Sequence, residues 1–188
     1  MLISNNKKFA FFHIQKTGGS ALTLSLARYM DNIEEVIPNE LVTYNNAGVR
    51  GWQHKYHMNG IQHHKVSMFE VPNNFFTFAF VRNPFTRIAS HFISLKPKYK
   101  SISELIANDP LPTMSSMLDK PLSFIGKHEQ WEKDINYIRT NLNIEIDPNI
   151  IANKNEDYDW RQLYSTADKK AVHNYYLEDF GRFYNEKY

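Results

Sequence analysis

Lys16 opens the run Lys16-Thr17-Gly18-Gly19-Ser20-Ala21, separated by Gln15 from the largely apolar stretch 9–14. Two adjacent glycines let the backbone turn tightly and approach a ligand closely. The N–H groups of Gly18, Gly19, Ser20 and Ala21 would then point from the start of a helix, which is a ready anion site. Lys16 adds a full positive charge, and Thr17 and Ser20 add hydroxyl donors. An ordinary glycine turn beside a surface lysine is the duller reading. The apolar stretch before the run and the helix-like stretch after it favour the anion site. Lys16 precedes the glycines instead of following them, so this is not the GxxxxGK[ST] pattern. That speaks against an ATPase or GTPase.

A second run, Arg82-Asn83-Pro84, follows the apolar residues 76–81. Asn83 suits an N-cap and Pro84 the first helical position. Ser90 lies two turns into that helix, on roughly the face of Arg87. Arginine can grip a phosphate with two parallel bonds, and a serine hydroxyl can complete the contact. Alone, this would be a capped helix with surface arginines. Together, the two sites point to a ligand with two separated phosphate-like groups.

Both sites need elements to hold them. Residues 9–14 have the length of a strand, and residues 21–30 carry Leu22, Leu24, Leu26, Ala27 and Met30 in a helix-like pattern. Residues 76–81 read as a buried parallel strand, followed by a helix with Ile88, Phe92 and Leu95. Two strand–loop–helix units predict an α/β fold with a central parallel sheet flanked by helices. Ligands of such folds sit at the carboxyl ends of the strands. Residues 96–121, with four prolines and a short helix near 103–107, could cover the site as a lid or acceptor loop. Trp131, Ile135, Ile138 and Leu142 mark an amphipathic helix. A last helix is expected to start at Ser165-x-x-Asp168. Residues 31–62 show little periodicity.

The 188 residues are 42% hydrophobic and 14% aromatic, which suits one domain over 1–188. With 22 Lys+Arg against 20 Asp+Glu, the charge gives no reason to expect nucleic acid as a partner. The absence of cysteine excludes disulfides and thiolate metal sites. No stretch is long and apolar enough for a membrane span. The short apolar run after Lys7 and Lys8 reads as a first strand and not a signal peptide, so the cytoplasm is the expected location. Oligomeric state is not legible.

The motifs also carry a resemblance. His13-Ile14-Gln15-Lys16-Thr17-Gly18-Gly19-Ser20 resembles the 5′-phosphosulfate loop of sulfotransferases that use PAPS (3′-phosphoadenosine 5′-phosphosulfate), especially the carbohydrate branch that includes the heparan sulfate enzymes. The stretch 80–92 resembles their 3′-phosphate motif. Residues 123–138 resemble the family's FIGRFE segment and following helix. An asparagine near 153 and the Tyr-rich end, with Asp179-Phe180-Gly181, resemble its ending. The matches span nearly the whole chain in the family's order. Gln15 stands where proline is frequent, although the 6-O branch looks similar there, and Lys127 stands where arginine is common.

The resemblance implies a P-loop-like sulfotransferase fold and PAPS as donor, with PAP as product. It implies that Lys16, Thr17, Gly18, Gly19, Ser20 and Ala21 hold the 5′-phosphosulfate, Lys16 also stabilising the leaving oxygen. Arg82 and Ser90 would hold the 3′-phosphate, with Gly126 and Lys127 near the nucleotide. The acceptor would be a hydroxyl, of a carbohydrate in the first place.

Sulfuryl transfer to an alcohol needs a base, and imidazole suits this near neutral pH. The candidates are His54, His57, His63 and His64. Related enzymes carry a histidine at the position of His63 or His64. His63 is preferred, because Phe69 then falls where the related enzymes place an apolar helix residue. Four clustered histidines could instead bind zinc, but no ligand spacing on a clear helix supports a metal. His13 reads equally well as pocket lining or packing. Glu129 and Asp134 could position Lys127 or the first helix. A small-molecule P-loop kinase and a non-catalytic nucleotide-binding module are the competing functions. The kinase lacks its lysine after the glycines, and the binding module would be expected to have lost Lys16 or the base.

Overall fold

A computed structural model describes residues 1–29, 63–149 and 159–185. His54, His57 and Asn153 lie outside the described residues. Among the described residues four strands form one sheet in the order β1 (Leu2–Ser4), β2 (Phe9–Phe12), β3 (Phe76–Val81) and β4 (Phe124–Lys127). β2, β3 and β4 run parallel, with Phe9 opposite Phe76 and Phe78 opposite Phe124. β1 pairs antiparallel to β2, Leu2 opposite Phe11. The parallel sheet therefore carries an antiparallel edge strand that the sequence pattern did not indicate.

Side chains of the strands alternate between faces. Phe9, Phe11, Phe78 and Phe80 pack on one face against Leu22 and Leu26 of α1 (Gly19–Leu26) and Ile135 and Ile138 of α5 (Trp131–Leu142). Ala10, Phe12, Ala79 and Val81 meet Met114, Met117 and Phe183 on the other. Both faces are covered, which is why the strands read as continuous apolar runs. A third cluster joins Ile88 and Phe92 of α2 (Pro84–Ser94), Ile102 and Leu105 of α3 (Ile102–Asn108), and Val172 of α6 (Thr166–Tyr175).

The helix starts follow local chemistry. Asn83 Oδ1 accepts from the Phe85 amide at 3.0 Å ahead of Pro84. Ser165 and Asp168 form a reciprocal capping box. α1 begins at Gly19, two residues before the predicted stretch, and passes into a 3₁₀ turn at Ala27–Tyr29. α4 (Met114–Met117) has a remote partner: Asp179 accepts from the amides of Met114 and Ser115 at 2.8 and 2.7 Å. Residues 96–121 pack into the rest of the chain. Ile102, Leu105, Leu111 and Met114 are buried in the body. No helix among the described residues is long and apolar enough to cross a membrane.

Candidate active site

β2 and β3 are parallel neighbours, so the loops after them leave the same end of the sheet. The first loop turns through two left-handed residues, Lys16 at φ +65° and Gly18 at φ +89°. Gly18 takes that conformation freely, whereas a lysine there costs about 1–3 kcal/mol and needs support. Two bonds supply it. Arg87 Nε donates to the Gln15 carbonyl at 3.0 Å, and Arg82 Nη1 donates to the Lys16 carbonyl at 3.3 Å. Gly18 caps α1, and the Ala21 amide closes back on the Gly18 oxygen at 3.1 Å. Ala21 is therefore spent as a donor, and the amides ahead of it are those the helix start offers an anion. Thr17 is also turned inward: its buried hydroxyl donates to Ile14 O at 2.9 Å, so it contributes no free hydroxyl proton.

The second loop brings Arg82 against the first. Arg82 Nε donates to Thr86 Oγ1 at 3.1 Å, which aims the guanidinium along the start of α2. Ser90 is buried one turn beyond Arg87. Arg87 is not the surface cation of the duller alternative, a plain capped helix. It is 1% exposed, lies 5.9 Å from the Tyr176 ring centre, and gives Nη1 to Pro112 O at 3.0 Å. A position three residues from Ser90 shares its helix face, and that face is internal.

Lys127 pairs with Val81 in the sheet, which puts it at the same end as Arg82. Its amide donates to Asp134 Oδ2 at 2.7 Å, and its ammonium lies 5.0 Å from the Tyr184 ring centre. Gly126 sits over Phe80, where an added Cβ would come within 2.7 Å of the ring. Glu129 holds neither Lys127 nor α1. One of its oxygens accepts from the Asn83 amide at 2.7 Å and the other from Tyr184 at 3.0 Å.

The histidines separate clearly. His63 Nδ1 lies 3.1 Å from His13 O, and the two rings meet edge to face at 4.7 Å. His13 is buried, stacks on Phe11, and lies over Gly19 so closely that a Cβ there would be 1.9 Å from the ring. His13 thus links His63 to the start of α1. His64 instead turns Nδ1 to Met68 Sδ at 3.3 Å, beside an exposed side chain. Phe69 packs its ring 6.1 Å from that of Phe12.

Two further histidines border the loops and were not singled out by the sequence. Burial pushes His91 down to about 4, with help from the Lys16 and Arg87 charges and against Asp109. His91 Nε2 is buried without a hydrogen-bond partner. Burial, with the Arg82 charge, likewise pushes His128 down to about 4, Glu129 opposing. Its ring lies 5.8 Å from Trp131 and lines the same side of Gly18. A lone histidine at a helix end carries no sequence signal of such surroundings.

One end of the sheet therefore gathers Lys16, the amides of a helix start, Arg82 and His63, which suits binding an anion and removing a proton beside it. No curated protein and no solved structure matches the chain. The profile of the Sulfotransferase family matches residues 1–111, which include both loops, His63 and His64. That is more than half of the chain, and the protein belongs to the Sulfotransferase family, whose chemistry is sulfuryl transfer.

Proposed function

We propose that the protein transfers a sulfuryl group from PAPS to a hydroxyl of a carbohydrate, with His63 as base. The observation that carries this reading is the contact between Arg82 and the Lys16 carbonyl. It puts two cationic loop–helix starts side by side, as a donor with a 5′-phosphosulfate and a separate 3′-phosphate requires. The residues fit such a donor. Lys16 and the first amides of α1 face the phosphosulfate, and Arg82 and Ser90 take the 3′-phosphate. Gly126 and Lys127 border the nucleotide from β4.

His63 Nε2 takes the acceptor proton as the acceptor oxygen bonds to sulfur and the bridging sulfur–oxygen bond breaks. Lys16 and the amides stabilise the charge that develops on the departing phosphate oxygen. Nothing in this scheme calls for a metal, because the cations of the chain neutralise the phosphates. The carbohydrate acceptor rests on resemblance to the carbohydrate branch. Calorimetric titration with PAP and ATP tests the donor, and turnover of PAPS with a glycan panel, read by mass spectrometry, tests the acceptor. Equal affinity for ATP and PAP would overturn the donor assignment. PAP binding with no sulfated product from any hydroxyl acceptor would favour a binding module.

A further inference from the structure

The two peptide groups on either side of the Lys16 Cα are each gripped by an arginine of the β3–α2 unit. Arg87 holds the Gln15 carbonyl at 3.0 Å and Arg82 the Lys16 carbonyl at 3.3 Å. The orientation of the first peptide plane sets φ at Lys16, and that of the second sets ψ. A non-glycine residue stays at φ +65° only where its surroundings over-determine it. The grip on the first plane is itself fixed. Arg87 is wholly internal, its Nη1 is held by Pro112 O at 3.0 Å, and it lies against Tyr176. Tyr176 in turn donates to Leu111 O at 2.8 Å, and Asp179 holds the amides of Met114 and Ser115.

We propose that Arg87 is a positioning residue that, together with Arg82, locks the main chain of Lys16 in its left-handed conformation before any ligand arrives. The lock sets where the Lys16 ammonium and the amides that follow it point. Arg87 touches neither donor nor acceptor; it acts through the Gln15 peptide. Lysine cannot replace it, because an ammonium is a point charge without the planar fork that reaches Gln15 O and Pro112 O together. Only the kinetic consequence rests on the sulfotransferase reading; the lock itself does not.

The test compares wild type with Arg87→Lys. Backbone ¹⁵N relaxation of the ligand-free wild type should give order parameters for residues 16–19 close to those of β2, about 0.85, falling below about 0.6 in the variant while β2 and β3 stay rigid. In kinetics, the folded variant should lose about 10²-fold in kcat, as misplacement of a catalytic group by an ångström does. A loop equally ordered in a folded variant overturns the proposal, as does a wild-type loop already below about 0.6. Should Arg87→Lys not fold, the wild-type loop decides alone, and Arg87→Ala supplemented with methylguanidinium should recover loop order where methylammonium does not. Absence of PAP binding by wild type would sink the donor reading while loop order still judged the lock.

Discussion

His63 Nδ1 faces the carbonyl oxygen of His13 at 3.1 Å. A carbonyl oxygen only accepts, so Nδ1 carries the hydrogen and, in the neutral ring, Nε2 carries the lone pair. His63→Ala should therefore lose about 10²-fold or more in kcat, while PAP affinity, measured by calorimetry, stays within a few-fold. His64, turned to Met68, provides the comparison. His64→Ala should change kcat only a few-fold, and the reverse ranking would move the base to His64.

Lys16→Ala should separate binding from catalysis. Its ammonium acts on charge that develops only in the transition state, so the loss should appear mainly in kcat, by about 10²–10³-fold. Near-normal kcat with a raised KM for PAPS would make Lys16 a binding residue only.

PAP should raise Tm more than ATP at equal concentration, because Arg82 and Ser90 meet a 3′-phosphate that ATP lacks. At 100 times Kd the stabilisation is about 2.7 kcal/mol. Arg82→Ala should remove most of the difference between the ligands. Equal shifts in wild type would refute these roles.

The glycines of the loop give a stability series. An added Cβ at Gly19 would stand 1.9 and 2.1 Å from atoms of the His13 ring, and one at Gly18 would stand 2.8 Å from Trp131 on a backbone at φ +89°. Gly19→Ala and Gly18→Ala should each cost about 1–3 kcal/mol by denaturant titration. Gly181, with nothing within 4 Å of such a Cβ, is the control, and Gly181→Ala should stay within about 1 kcal/mol. A tolerated Gly19→Ala would contradict the packing of His13.

His91 and His128, both held neutral down to about pH 4, should make stability fall in acid. The unfolded chain protonates them near 6.5, so it binds more protons than the folded chain below that pH. Their contribution is complete above about pH 6.5 and is lost as pH falls through about 4. His128→Phe should flatten the decline of Tm between pH 6.5 and 4, and an unchanged slope would refute its share.

Much of the fold that surrounds the candidate site was legible because its signals are local. The strands around Ala10 and Ala79, the Asn83-Pro84 helix start and the Ser165–Asp168 capping box each depend on neighbours within a few residues. What stayed hidden depends on distant partners. Arg87 reads as a surface cation until the carbonyls of Gln15 and Pro112 and the ring of Tyr176 close around it. Thr113 caps α4 locally, but the amides of Met114 and Ser115 are held by Asp179, 65 residues from Met114. β1 is three residues long and becomes a strand only through its pairing with β2. The inward Thr17 hydroxyl and the divergence of His63 from His64 likewise follow from packing that no spacing rule encodes.

The environment of Arg87 also orders events in time. A ribosome releases the Lys16 loop and α2 long before Tyr176 and Asp179, yet the buried guanidinium lies against the Tyr176 ring, and Asp179 holds the amides that follow Pro112 and Thr113. Until they arrive, the early half of the chain holds a charge that it cannot bury well. The anion loop is therefore encoded first and finished last, through contacts of long sequence separation that form slowly. On refolding from denaturant, recovery of PAP binding should trail the recovery of helical signal, and simultaneous recovery would show that the loop completes itself without the later helices.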